Sequence, residues 1–200
     1  MTDRALVVGV SGVPDAGKTT LIRFLLGICK LARPVYHDRH QTITDMTNAQ
    51  IESWFARSAD PNEFPLSQLI AELERETQIR PEDRCRPIVL FETPFGRLHH
   101  ETGAFIDFLV WIDTPFDVVV SRAILASLDR AQRNAAPEAA ADILKWQRDY
   151  LLNYAVFRPM YLSQREKISA GADLVLDGTG RVEETAAVVR KFLAARGIET

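Results

Sequence analysis

Short unbroken apolar runs alternate along this chain with longer segments whose apolar residues recur at helical spacing. Residues 5–10 (ALVVGV), 88–91 (IVLF) and 108–112 (FLVWI) contain no charged side chain. Runs of this length without polar alternation predict strands buried on both faces. Residues 34–36 and 174–176 predict two shorter strands. Between the first two strands, residues 21–31 place Leu21, Ile22, Leu25, Leu26 and Cys29 at helical spacing, and Pro34 stops the pattern. Leu66, Leu69, Ile70 and Leu73 follow the i, i+3, i+4, i+7 rule. Further helices are expected over 118–128, behind Pro115, over 135–161 with an interruption near Pro159, and over 182–195, closed by Gly197. Residues 39–65 read as polar and irregular, with one short helix over 48–57 that turns Ile51, Trp54 and Phe55 inward.

Strands alternating with helices imply right-handed crossovers and a parallel sheet covered on both faces. Ligands of such sheets bind beyond the carboxyl ends of the strands. Ser11, Asp38, Glu92, Asp113 and Asp177 all fall at that edge. With 200 residues and no repeat or linker, the chain is expected to form a single domain over 1–200. Its 24 Lys+Arg and 27 Asp+Glu give a net charge of −3, which excludes a strongly basic nucleic-acid surface. No apolar run approaches the roughly 18 residues of a spanning helix, so no membrane partner is expected. The start of the chain lacks a signal-peptide pattern, and a cytoplasmic location is expected. Cys29 and Cys85 form no metal or redox spacing and read as reduced, buried and inert. Oligomeric state, a homodimer included, is open.

The chemistry enters at Gly12, Val13, Pro14, Asp15, Ala16, Gly17, Lys18 and Thr19, which spell G-x-x-x-x-G-K-T between a predicted strand and a predicted helix. Chance produces this pattern in well under about 1% of chains this long. Gly12 and Gly17 let the backbone approach an anion, and amides at the helix start point at its phosphates. Lys18 adds a positive charge, Thr19 offers a hydroxyl to Mg²⁺, and Thr20 is placed for the α-phosphate. Asp15 is expected to face solvent, because a carboxylate pointing inward would repel phosphate. The reading is a three-layer α/β/α P-loop NTPase fold, a parallel sheet of about five strands with a small helical lid, taking ATP and Mg²⁺ as cofactors.

The segment from Gly9 to Leu21 resembles the start of the uridine kinase and phosphoribulokinase family of P-loop small-molecule kinases. Tyr36-His37-Asp38 is similar to the end of that family's second strand. Ala59-Asp-Pro-Asn-Glu-Phe64 resembles its "HPDAFD" segment, and Phe91-Glu92 its third strand end. Trp111-Ile-Asp113 with Asp117 and Arg122 resembles its lead into the lid, and residues 172–178 its final strand. Thr93 stands where the family carries Gly, and the arginines of the lid are sparser. The resemblance implies transfer of the γ-phosphoryl group to a hydroxyl of a nucleoside, sugar or related small molecule. Asp38 would then be the base, and Glu92 would hold a metal-bound water or a substrate hydroxyl. Arg97 would contact the acceptor, Arg122 with Arg130 or Arg133 would clamp the phosphoryl from a lid over about 122–135, and Gly178 would lie near the purine. Residues 37–65 would line the acceptor pocket, where Gln41, Thr42, Trp54, Arg57 and Glu63 suit polyols and nucleosides.

Plainer readings stand beside these. Asp38 can be a turn cap, Glu92 a structural acid, and Arg122 a snorkelling helix arginine. His37 and His40 have metal spacing but no third ligand nearby. His99-His100 reads as a solvated loop pair, and Trp54, Trp111 and Trp146 as packing residues. Asp113 and Asp177 read as caps. A metallochaperone-type GTPase switch is the rival function, supported by the loop sequence and by Glu92-Thr93. Against it, no N-K-x-D or T-K-x-D occurs for guanine. A nucleotide-binding scaffold without turnover is the third reading.

Overall fold

The computed structural model describes residues 4–40, 46–133 and 137–199. Its centre is a five-stranded sheet of β1 (Leu6–Ser11), β2 (Ala32–Tyr36), β3 (Ile88–Glu92), β4 (Phe108–Asp113) and β5 (Leu174–Asp177), in the order β2-β3-β1-β4-β5. All pairings are parallel. The apolar runs lie where the pattern requires. β1 pairs with β3 through Leu6↔Ile88 and with β4 through Val8↔Phe108, and both β1 and β3 are buried along their whole length. The edge strand β5 needs less apolar cover, and Val175 on it is exposed.

The helices are α1 (Lys18–Ile28), α2 (Asn48–Ala56), α3 (Ser67–Thr77), α4 (His100–Gly103), α5 (Phe116–Arg133), α6 (Pro137–Ser169) and α7 (Val182–Ala194). α1 packs with α7, α3 with α4 and β2, and α5 with α6, so helices flank the sheet. α2 opens with a capping box, in which the Thr47 hydroxyl accepts from the Gln50 amide and the Gln50 side chain accepts from the Thr47 amide. The stretch expected to act as a lid falls on the second half of α5 and its connection to α6; residues 134–136 lie outside the described residues.

Several expectations change. α6 runs through Pro159 rather than breaking there; the proline takes away only the bond to the Ala155 carbonyl, and the rest of this long helix carries it. Cys85 is exposed rather than buried. Trp146 is exposed and stacks on Tyr150 instead of packing in the core. His99 is buried, not solvated: its Nε2 donates to the Phe64 carbonyl, while its Nδ1 accepts from the Thr102 amide and caps α4. Arg97 is the correction that matters for function. Its guanidinium donates to the Gly171 and Asp107 carbonyls and pairs with Asp173 at 2.7 Å. Asp173 in turn accepts from the Leu109 amide, so Arg97 ties the start of β4 to the chain leading into β5. No helix among the described residues is long and apolar enough to cross a membrane.

Candidate functional site

The loop between β1 and α1 turns tightly. Gly17, at φ 104°, adopts a backbone that side chains resist, and Asp15 at φ 58° shares that region. A Cβ on Gly12 would stand 3.0 Å from the Ile112 carbonyl oxygen and 3.0 Å from Ala16, so the loop can lie this close to β4 only with glycine there. The Ala16 amide closes the turn on the Val13 carbonyl at 3.1 Å.

Lys18 is the first residue of α1, and its ammonium folds back over the loop. Nζ donates to the Gly12 and Val13 carbonyls at 3.1 and 3.0 Å. Burial lowers its pKa, opposed by the carboxylates of Glu92, Asp38 and Asp15. One residue on, the Thr19 hydroxyl lies 3.0 and 2.9 Å from the two carboxylate oxygens of Glu92. Glu92 ends β3 and is 5% exposed. Burial raises its pKa; Lys18 and the Thr19 hydrogen bond oppose that rise, and Asp38 adds to it.

Asp38 sits in a short 3-10 turn, His37–Arg39, directly after β2. Because β2 and β3 end in register, at Tyr36↔Glu92, this turn is set beside the tip of β3. The field of Asp38 reaches both Lys18 and Glu92. Asp15 is exposed, as expected, yet its carboxyl is raised by the protein around it against the pull of Lys18, Arg122 and Arg130. From α5, Arg122 donates to the Ala16 carbonyl at 3.2 Å and to the Gly178 carbonyl at 2.7 Å. It thereby joins the loop to the turn after β5. Gly178 has no room for a side chain, since a Cβ would lie 1.8 Å from the Thr114 hydroxyl.

These groups line one cavity of about 1010 Å³. Gly12, Pro14 to Thr20, Asp38, Glu92, Arg122 and Gly178 all border it, whereas Val13, buried beneath the loop, and Arg97 do not. Arg130 and Arg133 are exposed on α5 and do not border it. Arg57 and Glu63 pair with each other at 3.1 Å on the outer surface, away from the cavity. Gln41 and Thr42 lie outside the described residues. His40 engages Glu72, and His37 is buried against the edge of Phe95, so the two do not form a metal site. Asp177 caps its turn by accepting from the Thr179 amide and hydroxyl; Asp113 instead pairs with Arg165.

The sequence reading missed much of the cavity's wall. Phe157, Met160, Tyr161, Gln164 and Ile168 border it from α6. They recur at helical spacing on one face, a signal hidden because exposed apolar residues such as Leu151, Leu152 and Val156 surround it.

Comparison with known proteins adds likenesses at low identity. The shikimate kinase of Aquifex aeolicus is 16% identical, with a TM-score of 0.49 over 96% of this chain and 98% of its own. The shikimate kinase of Bacteroides thetaiotaomicron is 12% identical, with a TM-score of 0.48 over 94% of this chain and 98% of its own. An uncharacterized protein from Eubacterium ventriosum is 8% identical, with a TM-score of 0.47 over 94% and 98%. No family model matches the sequence, and no curated protein matches it. What the site does is therefore read from its own residues.

Proposed function

We propose that this chain is an ATP- and Mg²⁺-dependent kinase that transfers the γ-phosphoryl group to a hydroxyl of a small molecule, in the manner of the uridine kinase and phosphoribulokinase family it resembles. The observation that carries this reading is that Asp38, whose charge acts on both Lys18 and Glu92, and the Lys18–Thr19 corner of the loop border one cavity. A phosphate chain seated on the loop would point its terminal group toward Asp38. A bound triphosphate would draw the Lys18 ammonium from the two carbonyls that hold it, exchanging neutral acceptors for charged ones.

The donor set at Thr19 and Glu92 fits Mg²⁺. Two hard oxygen groups converge beside the loop, and this ion takes one or two protein oxygens together with water and phosphate oxygens. When bound, the ion would neutralise charge building on the phosphoryl oxygens. Asp38 would orient the acceptor hydroxyl and take its proton. Arg122 would hold the loop and the turn after β5 in register around the nucleotide, and the chain beyond Gly178, at Gly180, Val182 and Thr185, would face its base. Solvation in the cytoplasm and action as a single catalytic domain belong to the same proposal.

The test is acceptor-stimulated ADP release. Asp38→Asn is expected to reduce transfer by about 10²-fold or more while ATP affinity is kept, the range lost with acid–base help. Lys18→Ala is expected to abolish ATP binding. Preference for GTP over ATP, or Asp38→Asn turnover equal to the parent's, would overturn the reading.

A further inference from the structure

Much of the cavity that Asp38 borders is walled by apolar side chains. Ile51, Trp54 and Phe55 come from α2, Phe95 and Leu98 from the segment after β3, and Phe157 and Met160 from α6. Few polar side chains share that wall among the described residues. Gln164 has its amide engaged by the Pro94 carbonyl, and the Trp54 indole N–H is given to the Asp60 carbonyl at 3.0 Å. Tyr161, Ser163 and Lys167 also line the cavity from α6, within two turns of Met160. A second hollow of about 140 Å³ between α2 and α6 is lined by Ile51, Glu52, Phe55, Val156, Phe157 and Met160. It shares Ile51, Phe55, Phe157 and Met160 with the main cavity, so the apolar wall continues outward between the two helices.

Among the described residues, a sugar or polyol entering this space would find hydrogen-bond partners for few of the hydroxyls it takes out of water. The arginine and glutamate that would have served such a guest, Arg57 and Glu63, are turned to each other outside. An aryl or alkyl body gains from the same wall by leaving water. Resting on the kinase reading above, we propose that the acceptor is an alcohol with an aryl or alkyl body, its hydroxyl at Asp38 and its body between α2 and α6. In the transfer, the alcohol oxygen bonds to the γ-phosphorus while the bond from that phosphorus to the β–γ bridging oxygen breaks. The alcohol proton passes to the Asp38 carboxylate, and ADP leaves with the electron pair.

The experiment supplies MgATP with benzyl alcohol, phenylethanol and phenylpropanol in parallel with glycerol, ribose and uridine, and reads ADP release and phosphorylated product. The aryl alcohols are expected to be phosphorylated with kcat/KM rising about three- to fourfold per methylene and at least about tenfold above the polar alcohols. Phe55→Asp and Met160→Asp, which reach the hollow from opposite helices, are each expected to lower kcat/KM for phenylpropanol about tenfold, with ATP affinity kept within about twofold. Saturation-transfer NMR without nucleotide is expected to show phenylpropanol bound to the parent and not to Phe55→Asp. Preference for ribose, glycerol or uridine would overturn the acceptor class and leave the kinase reading standing. ATP binding without transfer to any of these alcohols would overturn both.

Discussion

Two single residues are more buried than the residues on either side of them. Gly178 is one: the position its side chain would take is already filled by Thr114, whose hydroxyl is held by the Ala16 carbonyl at 3.1 Å. Gly178→Ala should lose about 1–3 kcal/mol in urea unfolding, the range for overpacking a filled site. Thr114→Ala placed with it should recover part of that loss by vacating the contact. His37 is the other: it is 1% exposed, and neither ring nitrogen is hydrogen-bonded among the described residues. Burial is the main cause that lowers its pKa from 6.5 to about 4, with Asp38 opposing. The unfolded chain therefore binds a proton between those values that the folded protein refuses. Stability from this group is full above about pH 6.5 and falls as pH drops toward 4, by up to about 3 kcal/mol. The raised carboxyl of Glu92 works in the opposite sense, so the comparison is between variants. His37→Leu should flatten the urea midpoint between pH 5 and pH 7 relative to the parent; an unchanged slope would remove His37 as its source.

At the scale of elements, α5 is the strut of the site. Its Arg122 bridges the phosphate loop and the turn after β5 through two carbonyls. Arg122→Ala should lower stability by about 1–3 kcal/mol, as expected for charged hydrogen bonds that are part-buried. On the kinase reading, ATP affinity should fall about tenfold in the same variant, because the loop loses its tie to the turn after β5. Isothermal titration beside urea unfolding would separate the two effects. Elements with a clear period were legible before the fold was known. α3 and α7 fall within a few residues of the expected spans, and so do all the strands. The 3-10 turn at His37, the one at Pro61–Glu63 and α4 carry too few residues to show a period, and each is held by caps or tertiary contacts. Pro159 misleads for the reverse reason, since a local breaker costs less than a long helix gains from packing.

For the whole molecule, a ligand that binds only the folded state must stabilise it. MgATP at about a hundred times its dissociation constant adds about 2.7 kcal/mol, which for a chain of this size is about 5–10 °C in Tm. Thermal unfolding should show that rise in the parent and none in Lys18→Ala. The sheet order explains why one ligand can couple so much of the chain. β1 and β3 are neighbours at the centre, and β2 lies beside β3, so the loop, Glu92 and Asp38 meet at one edge although they are far apart in sequence.

Sequence alone determined the strands, the main helices and the phosphate loop, because each follows from short-range rules of burial period and backbone freedom. Placement of Asp38 and Glu92 at the carboxyl edge was also legible, since a parallel sheet sends every strand tip the same way. Only tertiary structure decided which arginine borders the cavity and which is a staple away from it: Arg122 and Arg97 look alike in the chain, and their partners come from distant segments. The apolar lining beside Asp38 was likewise decided by tertiary structure. It is assembled from α2, the segment after β3 and α6; helical spacing marks the faces within α2 and α6, but nothing local says that those faces meet.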